Sequence, residues 1–163
     1  MDIVEPPASA AAPAPAPPVT AKRVIFASVA VYALSLGLPA IREVASGRPG
    51  DRGYLVLTMG MLGVLFGQFG WFANGLYALG LIQLSRHRWK AAAIAAGLAV
   101  LLAADSFMLL RSGFPSDSGT HHPVAFQSGF YVWWGSLWIL AAGALLLWRG
   151  QRIAASEEVR SGS

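Results

Sequence analysis

Gln68, Asn74 and Asp105 interrupt the longest apolar stretches of this 163-residue chain. An amide in such surroundings takes hydrogen bonds from a neighbouring helix or from a ligand. A buried carboxylate is paired, set close to water, or used to carry a proton or cation. Asp105 stands five residues from the end of its apolar block, within reach of interfacial water, with Arg42, Arg48 and Arg111 as candidate partners. These three residues form the candidate intramembrane polar site. The segment "SDSGTHHP" adds His121 and His122 near Asp117. Adjacent histidines diverge, and no third and fourth ligands follow at structural-site spacing, so no metal is expected.

The rest of the chain offers little other chemistry. It contains no cysteine, which removes disulfides, thiol catalysis and cysteine-held metals together. No histidine falls inside an apolar block, which argues against bis-histidine haem. No P-loop, GxSxG or HExxH is present. The expectation is a non-enzymatic protein without cofactors.

The elements that must position the three polar residues are apolar blocks. The chain is 55% hydrophobic and 12% charged, against about 25% charged in soluble domains. Four blocks read as helices over about 24–41, 54–84, 91–110 and 128–148. The fold class expected is all-α, an integral membrane four-helix bundle with a lipid bilayer as its first partner. The first block follows a long tail carrying Asp2 and Glu5, and "LPA" is a poor cleavage site, so it reads as an uncleaved helix. Residues 1–21 hold a Pro/Ala tract and read as a disordered spacer. Residues 150–163 read as a flexible tail.

The second block is the unusual one. Its 31 residues would make a helix of about 46 Å, against a hydrocarbon core of about 30 Å. Tilt or a glycine-associated kink near Gly75 would absorb the excess. At about 100° per residue, Gly60, Gly63, Gly67, Gly70 and Asn74 fall within an arc of about 80°. That is a helix-packing stripe, with Gly63 and Gly67 forming a GxxxG. Ala92, Ala96, Ala99, Ala103 and Ser106 make a facing stripe on the third helix, and Gly135 with Ala142 a smaller one on the fourth. Gln68 lies about 120° from the centre of the glycine stripe. Asp105 points with Ile94, Leu98 and Leu101, away from the alanines.

The net charge is +4, carried by ten arginines and two lysines. These flank the apolar blocks and do not cluster on a soluble face, which argues against nucleic acid as a partner. Eight of the twelve (Lys22, Arg23, Arg86, Arg88, Lys90, Arg149, Arg152, Arg160) fall on one side of a four-span topology. Arg42, Arg48, Arg52 and Arg111 fall on the other. Both termini are therefore expected in the cytoplasm. Trp133, Trp134 and Trp138 crowd the outer half of the fourth helix, and Trp89 and Trp148 mark the inner boundary.

Two short motifs carry a resemblance. Trp71, Ala73, Asn74, Gly75 and Leu76 are similar to a W-x-A-N-P-L element. Gly129, Phe130, Tyr131, Val132, Trp133 and Ser136 are similar to G-Y-Y-L-W-x-x-S. Both elements occur in a loose group of uncharacterised small bacterial inner-membrane proteins. The resemblance spans roughly residues 60–140 and implies four helices in a bacterial inner membrane, with no assigned activity. This chain has Gly75 where the group usually has proline. Two roles follow as expectations. One is an accessory, assembly or immunity protein that packs with itself or with another membrane protein. The other is a small oligomeric channel or transporter component using Asp105, Gln68 and Asn74.

Overall fold

The computed structural model describes residues 19–44, 49–115 and 121–161; the Pro/Ala tract, Arg48 and Asp117 lie outside them. The chain is mostly helical. Helix α1 covers Ala21–Gly37, and Thr20 caps it by accepting weakly from the Arg23 N–H at 3.4 Å. It ends four residues earlier than the apolar block predicts. Leu38 is extended (ψ 153°) because Pro39 disfavours helix in the residue before it.

Short strands, which the all-α expectation did not include, lie in the connections between the helices. Strand β1 (Pro39–Glu43) pairs antiparallel with β2 (Asp51–Arg52) on one side and with β5 (Val124–Phe126) on the other. Ile41 faces Phe126 and Glu43 faces Val124. A second ribbon joins β3 (Phe114–Pro115) to β4 (His121–His122). These strands tie the connecting segments at one end of the helices and seat the backbone groups the helices leave unpaired.

The second block is not one helix. Helix α2 (Gly53–Met59) tightens into a 3-10 helix over Gly60–Phe66, which stops at Gly67. Gly67 has φ 73° and ψ 20°, a left-handed conformation that costs an L-residue about 1–2 kcal/mol and costs glycine nothing. After a non-helical Gln68–Phe69, a 3-10 turn (Gly70–Phe72) leads into α3 (Ala73–Ser85). The break therefore falls at residues 67–69. Gly75 lies inside α3 and is not the kink.

A turn with His87 in the left-handed region joins α3 to α4 (Trp89–Ala103). Helix α4 continues through a 3-10 segment (Ala104–Met108) into α5 (Leu109–Ser112). Helix α6 runs from Ser128 to Ser161, so residues 150–161 are helical where a flexible tail was expected. The Arg152 guanidinium lies 5.8 Å from the Trp148 ring centroid in that extension.

The long helices pack antiparallel. Val24 abuts Gly143 and the Leu38 carbonyl abuts Gly129, which sets α1 against α6. Gly80 abuts Ala96 and Gly70 abuts Ser106, which sets α3 and its lead-in against α4. The core is rich in small side chains, with Ala73, Ala92, Ala96, Ala99, Ala103, Ala144, Ser28, Ser35 and Ser136 buried, and Leu84, Leu137 and Leu140 fully buried among them. Large apolar side chains face outward, with Phe26 76%, Leu65 77% and Leu101 71% exposed. The alanine stripe of α4 is buried, but the α3 face against it is Ala73, Tyr77, Gly80 and Leu84. The Gly135–Ala142 face of α6 is not used; Gly135 has open space beside it and Ala142 is exposed. Two segments, Trp89–Ser112 and Ser128–Ile153, are long and apolar enough to cross a membrane.

Candidate functional site

Asn74 sits at the start of α3 and joins three elements. Its Oδ1 accepts from the Tyr32 hydroxyl of α1 and from the Trp133 indole N–H of α6, each at 2.9 Å. Its Nδ2 donates back to the Trp71 carbonyl at 2.9 Å. Both lone pairs of the amide oxygen are thereby spent. The two sequence motifs meet at this point, because Asn74 belongs to one and Trp133 to the other.

Below this hub a second polar link crosses the same helices. Ser28 Oγ donates its single proton to the Ser136 carbonyl at 2.9 Å, so the Tyr77 hydroxyl is the donor in its 2.9 Å bond to Ser28. Tyr32 and Tyr77 stack with centroids 4.9 Å apart. Ser28, Tyr32, Tyr77 and Trp133 were not singled out by sequence reasoning as one site. A signal was present for the α1 part: Ser28, Tyr32 and Ser35, at spacings of four and three, form a polar face on an otherwise apolar helix.

Among the described residues Asp105 pairs with no arginine. Its Oδ2 accepts the Phe69 backbone N–H at 2.7 Å, capping the non-helical break. Trp71 completes the fixation by donating its indole N–H to the Leu57 carbonyl at 2.6 Å, which binds α2 to the start of α3. Gln68 lies in the break itself, and its Oε1 is buried without a hydrogen bond among the described residues.

The four glycines have different surroundings and do not share one helical face. A Cβ on Gly60 would lie 2.6 Å from the Trp71 ring, and one on Gly70 would lie 2.2 Å from Ser106 Oγ. Both positions need close approach. A Cβ on Gly63 would stand 3.2 Å from the Gln68 Cβ, and Gly67 has open space and a conformational role only. The uninterrupted stripe fails because helical phase is lost at Gly67.

Around these residues is a cavity of about 420 Å³. Asn74, Gln68, Ser106 and Trp133 line it together with Leu55 and Met59 of α2 and Leu62 of the 3-10 helix that follows. It is mainly apolar with a few polar groups, the usual make-up of a small-molecule site. An aromatic cluster of Phe107, Phe126, Phe130 and Trp134 packs beside it, Phe107 lying 5.3–5.7 Å from the other three rings. At the same end, His122 Nδ1 contacts the Glu43 carboxylate, joining β4 to β1. Among the described residues no three of His, Asp and Glu converge as metal ligands would.

Comparison with known protein families, characterised proteins and solved structures returned no match.

Proposed function

We propose that the chain is a non-enzymatic, integral protein of a bacterial inner membrane, crossing it four times through α1, the broken segment from α2 to α3, the segment from α4 to α5, and α6. The observation that carries this reading is the apolar exterior. Large side chains such as Phe26, Leu65 and Leu101 face outward, around an interior in which alanine and serine let the helices approach closely beside Leu84, Leu137 and Leu140, as expected where lipid replaces water. The two long apolar segments support it. Broken backbone at membrane depth must lie against protein or a cavity, and the non-helical residues 67–69 meet this in part. Here Gln68 lines the cavity and Asp105 caps Phe69.

The lysine and arginine distribution, eight against four, favours both termini in the cytoplasm. The role that fits this architecture is a scaffold working by contact with itself or with another membrane protein. The channel or transporter alternative needs a mobile charge at Asp105, and a carboxylate committed to the Phe69 amide favours the scaffold.

The absence of cysteine makes topology directly testable. Ser85→Cys and Ser156→Cys should resist a membrane-impermeant maleimide added to spheroplasts. Ser112→Cys and Ser128→Cys should label; all four serines are exposed. Labelling of all four sites at equal rates would defeat the four-span reading. Capture in mild detergent should retain either a second copy or one specific membrane protein.

A further inference from the structure

The cavity has a lining that selects for one kind of guest. Tyr32, Ser35, Trp71, Asn74 and Trp133 all line it, and all spend their side-chain hydrogen bonds within the protein. Two neutral polar groups of the lining do not. The Gln68 amide and the Ser106 hydroxyl have no hydrogen bond among the described residues. Both lie at the 67–70 break, where Ser106 Oγ sits against Gly70. The terminal torsion of glutamine is soft, so the amide can turn either its oxygen or its nitrogen toward the cavity.

Charge narrows the guest further. Among the described residues no lysine, arginine or histidine lines the cavity, and the Asp51 carboxylate stands at its exposed rim. An anionic head would be desolvated without a counter-charge. A wholly apolar guest would leave the buried Gln68 Oε1 unsatisfied. The volume of about 420 Å³ holds roughly 14 groups at the 30 Å³ of a liquid water. Leu55 and Met59 of α2 and Leu62 of the following 3-10 helix are 38%, 60% and 53% exposed and open that flank to an apolar medium.

We infer that this cavity binds one neutral, hydroxyl-headed amphiphile of about a dozen heavy atoms. Its hydroxyl bonds to Gln68 and Ser106, and its aliphatic body lies along Leu55, Met59 and Leu62. The inference rests on the membrane reading, because the guest enters from the bilayer past α2.

The test uses full-length protein in phosphatidylcholine liposomes, with insertion checked by the cysteine labelling above. A ten-carbon primary alcohol bearing a chain diazirine is photolysed, and adducts are mapped by peptide mass spectrometry. Saturable adducts are expected at Met59, Leu62 or Trp71. At equal bilayer concentration, decanol should displace them at least about tenfold better than decanoate or decane, the separation set by one hydrogen bond to a buried partner. Gln68→Leu combined with Ser106→Ala should erase that preference. Val56→Trp, which fills the cavity from α2, should remove the adducts while leaving non-saturable ones at Leu101 and Leu146. Equal displacement by decanoate, an unchanged preference in the double variant, or adducts spread evenly over lipid-facing residues would each overturn the inference. A chain that does not insert overturns the membrane reading and this inference with it. An inserted chain without saturable adducts overturns the inference alone.

Discussion

Asn74 gains its value from the number of partners it satisfies at once. Replacing it with alanine orphans the Tyr32 hydroxyl and the Trp133 indole N–H and frees the Trp71 carbonyl. Asn74→Ala should destabilise the protein by about 1–3 kcal/mol in mixed-micelle unfolding. A double-mutant cycle with Trp133→Phe should return a coupling of about 0.6–1.7 kcal/mol; a value near zero would mean the bond is not formed in the membrane. Asp105 is argued differently, because an asparagine can keep its role. Asp105→Asn retains an oxygen to accept the Phe69 N–H, whereas Asp105→Ala removes it. Hydrogen exchange at residues 67–70 should rise roughly tenfold or more in the alanine variant and little in the asparagine variant. A protein that moves protons or cations through Asp105 would show the reverse pattern in a transport assay, with Asp105→Asn inactive.

At the scale of elements, the break between the 3-10 helix and α3 turns on one dihedral angle. Gly67→Ala must place a Cβ in the left-handed region, at a cost of about 1–2 kcal/mol, although nothing lies within 4 Å of that Cβ. Gly75→Ala also meets open space, but inside a helix, and should be neutral or stabilising by up to about 1 kcal/mol. Unfolding midpoints of the two variants should therefore move in opposite directions. A continuous helix over 54–84 would instead gain from both substitutions. This contrast explains what was legible in the sequence. The alanine face of α4 could be read because the helix runs unbroken through it. The glycine stripe could not, because helical phase assumes continuity, and a glycine's identity does not reveal the sign of its φ. Asn74 could be nominated as a bridge, but Tyr32 and Trp133 as its partners depend on how three helices approach. The strands were invisible for a related reason. Ile41 meets Phe126 across 85 residues, and a pairing of three residues leaves no local period to detect.

For the whole molecule the question is which solvent it is built for. A water-soluble fold covers its exterior with polar and charged groups; this one buries Leu84, Leu137 and Leu140 among alanines and serines and still displays many large apolar side chains. Leu101 tests the point because it is 71% exposed and lies near the middle of the Trp89–Ser112 segment. In water, an exposed leucine can become arginine with a change of about 0.5 kcal/mol or less. At the centre of a membrane span the same change costs about 2.5–3.5 kcal/mol of insertion free energy. Leu101→Arg should therefore lower the membrane-inserted fraction by one to two orders of magnitude in a glycosylation-based insertion assay of this segment. Arg111 already stands near the C-terminal end of that segment, so an arginine moved from the edge to the middle is the smallest change that separates the two solvents. Ala99→Leu serves as the internal control, being fully buried two residues away. It should leave insertion unchanged and instead destabilise the folded bundle by about 1–3 kcal/mol through overpacking. An arginine at 101 that inserts and folds normally would mean that the apolar exterior faces something other than lipid.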